Sequence, residues 1–298
     1  MNARFFCLLL CVVLLPSLAA AQERPTVVAS FSILEDFVTR VAGEHARVVS
    51  LTPRGAEVHE YELRPADFRV LERADLVFYN GLSLELWMGQ VRTVVGRGVP
   101  VVALAEQAAI ETLPIIAGEY QGRPDPHVWM DPKRASALVE VIHDQLAELL
   151  PEHADSLRAN ADAYRDALAE LHSEMAEGFA AIPEPQRVLI TSEAAFVYFA
   201  EAFDFYHDAI WGSNAEVEGS PRQIMRITNV IRERRPPAIF WESTVSSRQV
   251  EGISADTGVP VRGPLFVDSL GPADGAAGSY IGMMRENLRV LSEALAGG

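Results

Sequence analysis

Lysine is almost missing from this chain: of 25 basic residues only Lys133 is a lysine, and the others are arginine. That excludes a phosphate-binding loop of the Gly-x-x-x-x-Gly-Lys type, because Lys133 follows Asp131-Pro132 rather than a glycine. Cysteine is equally scarce. Cys7 and Cys11 both fall in the first 21 residues, so nothing beyond them can form a disulfide or supply a thiol nucleophile. Positive charge is in deficit, 25 Lys and Arg against 41 Asp and Glu, for a formal charge of −16. Such a balance repels phosphate backbones and anionic lipid, which argues against nucleic-acid or membrane-surface binding. Long apolar runs are absent after the amino terminus, where none reaches the ~18 residues of a membrane span. No Gly-x-Ser-x-Gly elbow occurs either.

What is present begins with an export signal. Arg4 supplies a positive start, Phe5 to Leu15 an apolar stretch, and Ala19-Ala20-Ala21 a small-residue cleavage point. Cleavage after Ala21 would discard both cysteines and release a soluble secreted or periplasmic protein, free rather than lipid-anchored. With 298 residues, 49% of them hydrophobic, the chain can build a sizeable core, and at about 150 residues per domain it suggests two units.

Short β-branched runs then alternate with amphipathic stretches, the pattern of an α/β protein. Strands are predicted at Thr26 to Phe31, Arg47 to Leu51, Leu76 to Tyr79 and Val101 to Leu104, with helices from Ile33, from Pro65 and over Leu84 to Val95. Gly118 to Pro132 is a long loop rich in Gly, Pro and Asp. After Pro151, the residues Leu157, Ala161, Tyr164, Leu168, Leu171, Met175 and Phe179 step by three or four. They describe one amphipathic helix, about 35–40 Å long at ~1.5 Å per residue, ended by Pro183 and Pro185. It contains no proline and one late glycine, Gly178, and so reads as a rigid strut. The alternation restarts with strands at Arg187 to Thr191, Asp208 to Trp211, Ala238 to Trp241 and Val259 to Arg262, and a last helix at Tyr280 to Leu295.

Loops at strand ends are where α/β folds place their sites. Four polar residues stand at such points: His59, His127, Glu193 and Asp268, separated by 68, 66 and 75 residues. Two imidazoles and two carboxylates make a coordination sphere for a divalent transition metal. Their spacing has nothing in common with a compact zinc-protease helix, and on composition alone each could be a surface residue, a helix cap or a turn former. The remaining histidines, His45, His143, His153, His172 and His207, read as surface residues or local hydrogen-bond partners. Three carboxylates near His59, at Glu57, Glu60 and Glu62, could serve as general base if the ion belonged to a metallohydrolase; an adhesion module is another competing reading.

The wording of the motifs separates these readings. The stretches HEYELRPADFRVLERADLVFYNGLSLELWM, DPHVWMDP, EAAFVYFAEAF, FWESTVSSRQVEGISADTG and FVDSLG occur in that order. With them the chain resembles, over nearly its whole mature length, the metal-binding solute receptors of ABC importers, the cluster A manganese, zinc and iron receptors. The resemblance implies two α/β lobes, each with a mostly parallel central sheet, at residues 22–152 and 182–298, joined by a long rigid helix at 153–181. It implies His59, His127, Glu193 and Asp268 as ligands of one divalent ion held between the lobes, a permease as partner, a monomer, and no catalytic role or cofactor. Zinc receptors of this kind usually carry a histidine where this chain has Glu193, and often a His-rich loop that it lacks. A carboxylate there adds a negative charge and a second oxygen, which favours a harder ion. Manganese is therefore the expected cargo, with zinc or iron as alternatives. Affinity is expected to fall on acidification from near the ordinary histidine pKa of ~6.5.

Overall fold

Four parallel strands form the first sheet of the computed structural model, which describes residues 24–214 and 219–296. The export signal, its cleavage point at Ala21 and both cysteines lie outside the described residues. Strands β1 (Thr26–Ala29), β2 (Arg47–Ser50), β3 (Leu76–Tyr79) and β4 (Val101–Ala103) lie in the order β2-β1-β3-β4. Central strands β1 and β3 are buried almost throughout, as unbroken apolar runs in a parallel sheet must be. The crossovers carry α1 (Ser32–Ala42), α2 (Pro65–Leu71) and α3 (Met88–Val94), and α4 (Leu104–Gln107) follows β4.

Helix α3 is shorter than the periodicity from Leu84 to Val95 predicts. Ahead of it, Leu82 and Ser83 take positive φ, 51° and 65°. The buried Glu85 carboxylate then accepts from the Asn80 amide at 2.8 Å, the Gly81 amide at 3.2 Å and the Ser30 hydroxyl at 2.7 Å. Side-chain capping of the loop amides has taken the place of a first helical turn.

Helix α5 (Pro132–Leu149), 18 residues long and directly before the strut, has no counterpart among the predicted elements. Its start carries a local signal all the same: Asp131 caps the Lys133 amide at 2.9 Å with Pro132 in the first turn. The strut itself is α6 (Ala154–Ala180), 27 residues long, and all seven of its predicted apolar positions are buried. It packs against α1, α5 and the final helix.

The second half runs β5 (Val188–Glu193), α7 (Val197–Phe203), β6 (Tyr206–Trp211), α8 (Pro221–Arg234), β7 (Ile239–Glu242), α9 (Arg248–Thr257), β8 (Val261–Leu265) and α10 (Tyr280–Leu295). Its strands form two parallel pairs, β5 with β6 and β7 with β8. Where β5 and β7 run side by side, the carboxylate of Glu242 accepts from the amides of Ser192 at 3.0 Å and Glu193 at 3.2 Å.

The lobes share a hydrophobic core that runs from Val27 through α5 and α6 to Leu295, while a smaller cluster fills the space between β5 to β8 and α8 and α9. Polar fasteners cross between them. Trp129 Nε1 donates to the Val267 carbonyl at 2.9 Å, the Gly55 amide to Ser269 Oγ at 2.7 Å, and the Leu270 amide to Ser32 Oγ at 2.9 Å. Arg54 reaches the carbonyls of Gly271 and Gly278 at 3.1 and 2.9 Å.

Candidate metal centre

His59 sits in the loop between β2 and α2, and its backbone is pinned from both sides. Glu57 accepts from the amides of His59 and Glu60 at 3.0 and 3.1 Å, and the His59 carbonyl accepts from the Leu86 amide at 3.3 Å. That contact, with Trp87 Nε1 donating to the Val58 carbonyl at 2.8 Å, ties the loop to the start of α3. Glu57 is thus a turn former, whereas Glu60 and Glu62 are exposed.

His127 opens the short helical turn Val128–Met130 ahead of α5. Asp125 Oδ1 accepts from its backbone amide at 2.9 Å and faces its Nδ1 at 3.0 Å. With the Nδ1 proton held there, Nε2 is the nitrogen left to offer a lone pair. Asp125 is fixed in turn, since its carbonyl accepts from Tyr198 OH at 2.7 Å. Glu193 is the last residue of β5, and Asp268 lies three residues past the end of β8.

The structure brings all four predicted residues together. One ligand-type atom from each lies within 4.8 Å of the others, and all four residues are buried. His59 Nε2 is 3.3 Å from Glu193 Oε1, and His127 Nε2 is 3.4 Å from Asp268 Oδ1. Yet among the described residues His59 Nε2, His127 Nε2, Glu193 Oε2 and Asp268 Oδ1 have no hydrogen-bond partner. Buried polar atoms left unpaired are costly, about 1–3 kcal/mol each, and a cation among these four would satisfy them together. Beside His59 opens a cavity of about 280 Å³ walled by Leu82, Leu86, Ile115, Pro124 and Pro126.

Electrostatics fit that reading. Burial alone would lower the pKa of His59, but the charges of Glu193 and Asp268 outweigh it and raise it to about 9. Burial likewise opposes a proton on His127, and Asp125 and Glu193 overcome it, holding the pKa well above the ordinary value. Burial, then the neighbouring Asp268, raises Glu193; Asp268 is held low despite its burial by the approach and charge of His127. Without an ion, the facing carboxylates favour the protonated form of both imidazoles.

The other histidines are elsewhere. His45 stacks on His153 at 3.9 Å between ring centres and meets Ser156 Oγ at 3.0 Å. His143 is buried rather than on the surface. With Glu140 and Asp144 it forms a second group of ligand-type residues, but Arg158 already occupies it, 2.9 Å from both Glu140 Oε1 and His143 Nδ1. His172 lies against Phe203, and His207, enclosed beside Thr191, is pushed by burial down to about 3. Sequence reasoning missed three residues that shape the centre: Asp125, Asn214 and Glu242. Asp125 carried a local signal, two positions before a histidine in DPH, and Glu242 lies within the stretch FWESTVSSRQVEGISADTG.

A family model described as ZnuA, zinc-uptake complex component A, periplasmic, matches residues 27–294. The chain belongs to that family. Among ZnuA-family relatives it is 35% identical over 287 residues to the iron-binding protein YfeA of Yersinia pestis, covering 94% of this chain and 91% of that protein. It is 38% identical over 262 residues to the manganese-binding lipoprotein MntA of Halalkalibacterium halodurans, covering 88% and 85%. Among solved structures, the periplasmic zinc-binding protein TroA of Treponema pallidum superposes with a TM-score of 0.86 at 31% identity, covering 92% of this chain and 100% of TroA. The two-lobed α/β architecture with a long joining helix is shared with TroA.

Proposed function

We propose that this protein is an extracytoplasmic receptor that binds one divalent transition-metal ion, manganese foremost, through His59, His127, Glu193 and Asp268. It hands the ion to an ABC permease. The observation that carries the reading is the convergence of four buried ligand-type side chains, two from each half of the chain, each with an atom left unpaired among the described residues. Two nitrogens and at least two oxygens suit a borderline-to-hard divalent ion. Relatives named for manganese, iron and zinc support the same ligand class. The donor set binds rather than turns over: four protein ligands leave little room for the open water position that metal-assisted hydrolysis needs. The working form is a monomer, exported and cleaved near Ala21. The lipoprotein relative raises the alternative of a lipid anchor, which mass analysis of the mature amino terminus would separate.

Metal analysis of protein purified without added metal, followed by calorimetric competition between Mn²⁺ and Zn²⁺, tests the function. One equivalent bound by the native protein, and lost in both His59→Ala and Asp268→Ala, is the expected result. Stoichiometric binding that survives both substitutions would overturn the site.

A further inference from the structure

Asn214, three residues past the end of β6, touches both carboxylates of the centre. Its backbone amide donates to Glu193 Oε1 at 2.7 Å, and its side-chain Nδ2 donates to Asp268 Oδ2 at 3.2 Å. Its orientation is fixed by chemistry: Trp211 Nε1, which can only donate, reaches Asn214 Oδ1 at 2.9 Å and so forces Nδ2 toward Asp268. The residue is 6% exposed and makes all three contacts away from water.

Each acid is left with one oxygen bonded to Asn214 and one unpaired, but only the bond to Asp268 comes from the side chain. Asp268 has Oδ2 tied to Asn214 and Oδ1 unpaired, 3.4 Å from His127 Nε2. It can present one oxygen freely and the second only by giving up a buried hydrogen bond. Glu193 has Oε2 unpaired, and its other oxygen accepts from a backbone amide. From the side-chain bond to Asp268 Oδ2 we propose that Asn214 is a specificity-determining residue, which holds Asp268 to a single oxygen and so limits the coordination number of the bound ion. The proposal rests on the metal-receptor reading above. Zn²⁺ is satisfied by four ligands, whereas larger oxygen-preferring ions gain from more. The Asn214 amide therefore favours the low-coordinate ion, and its removal shifts preference toward Mn²⁺.

The test is competitive titration of Mn²⁺ and Zn²⁺ into native protein, Asn214→Ala and Trp211→Phe. The last leaves the amide in place but removes the donor that orients it. In Asn214→Ala the ratio of Zn²⁺ to Mn²⁺ affinity should fall by about tenfold, the lower end of what loss of an outer partner costs a metal site. Trp211→Phe should move the ratio the same way by less, and it carries the test if Asn214→Ala does not fold. X-ray absorption of the loaded Asn214→Ala variant should show an added oxygen neighbour. An unchanged ratio, or equal losses for both ions, would overturn the proposal, because a merely structural residue would weaken both alike. Failure of the native protein to bind either ion would instead strike the receptor reading itself.

Discussion

At the residue scale the centre is a contest between protons and a metal ion for the same nitrogen lone pairs. The sequence suggests an affinity that starts to fall near pH ~6.5; the structure moves that onset up, because the facing carboxylates raise His59 to about 9. Below that pH the ion must expel a proton from His59 and another from His127, so apparent affinity should climb steadily from about pH 6 to about pH 9. Calorimetric titrations across that range check this, and a plateau above about pH 7 would contradict it. Stability of the ion-free protein should run the other way. A histidine whose folded pKa is raised contributes stability that is whole below its unfolded value of ~6.5 and is lost as pH climbs through about 9. His59, His127, Glu193 and Asp268 are legible in the sequence because each stands at a strand end or in a Pro-rich loop and within a recognisable motif. The roles of Asn214 and Glu242 are not, although Glu242 lies within a recognisable motif: each acts through contacts with residues 21 to 54 positions away, which no local pattern encodes.

At the scale of elements, periodicity locates what packing alone decides and misses what side-chain hydrogen bonds decide. The seven apolar steps of α6 and the last helix at Tyr280–Leu295 match the sequence pattern, whereas the start of α3 is lost to Glu85 and its capped amides. The division between the β5–β6 and β7–β8 pairs has no local signal either; at it the Glu242 carboxylate accepts from the amides of Ser192 and Glu193. Burial pushes that carboxylate up to about 8. Gly178, the late glycine of α6, marks close approach rather than a hinge: a Cβ there would come within 2.8 Å of Leu288 Cδ1 on α10. If α6 is a continuous strut, breaking it should cost dearly even at a solvent-facing position. Glu170→Pro removes a helical hydrogen bond and should cost about 3 kcal/mol, read as a lowered melting temperature. An unchanged melting temperature would mean that the helix bends there at little cost.

The whole molecule joins two lobes by more than a helix. A continuous apolar core, the Trp129 to Val267 bond, the Ser32, Ser269 and Gly55 contacts, and Arg54 on the carbonyls of Gly271 and Gly278 all span the division. Wide opening would expose core and break these bonds together. Solution scattering should therefore show a radius of gyration that changes by less than about 1 Å when Mn²⁺ is added, since packed interiors transmit strain rather than yield to it. A change of several ångströms would mean that the fasteners give way on release. Little reorganisation on loading also leaves more of the interaction free energy available for affinity.

The cross-lobe fastener Trp129 has an optical consequence. Its indole lies edge-on to the His127 ring at 5.3 Å between centres, it is wholly buried, and its Nε1 bonds the carbonyl of the residue before Asp268. Exchange of an imidazolium proton for a metal ion changes the charge beside a fluorophore that no solvent reaches. Native emission should shift as ions load, and Trp129→Phe should remove a clear part of that response, with buried Trp211, bonded to Asn214, supplying much of the rest. The protein carries its own occupancy gauge, and no dye need be attached to read it.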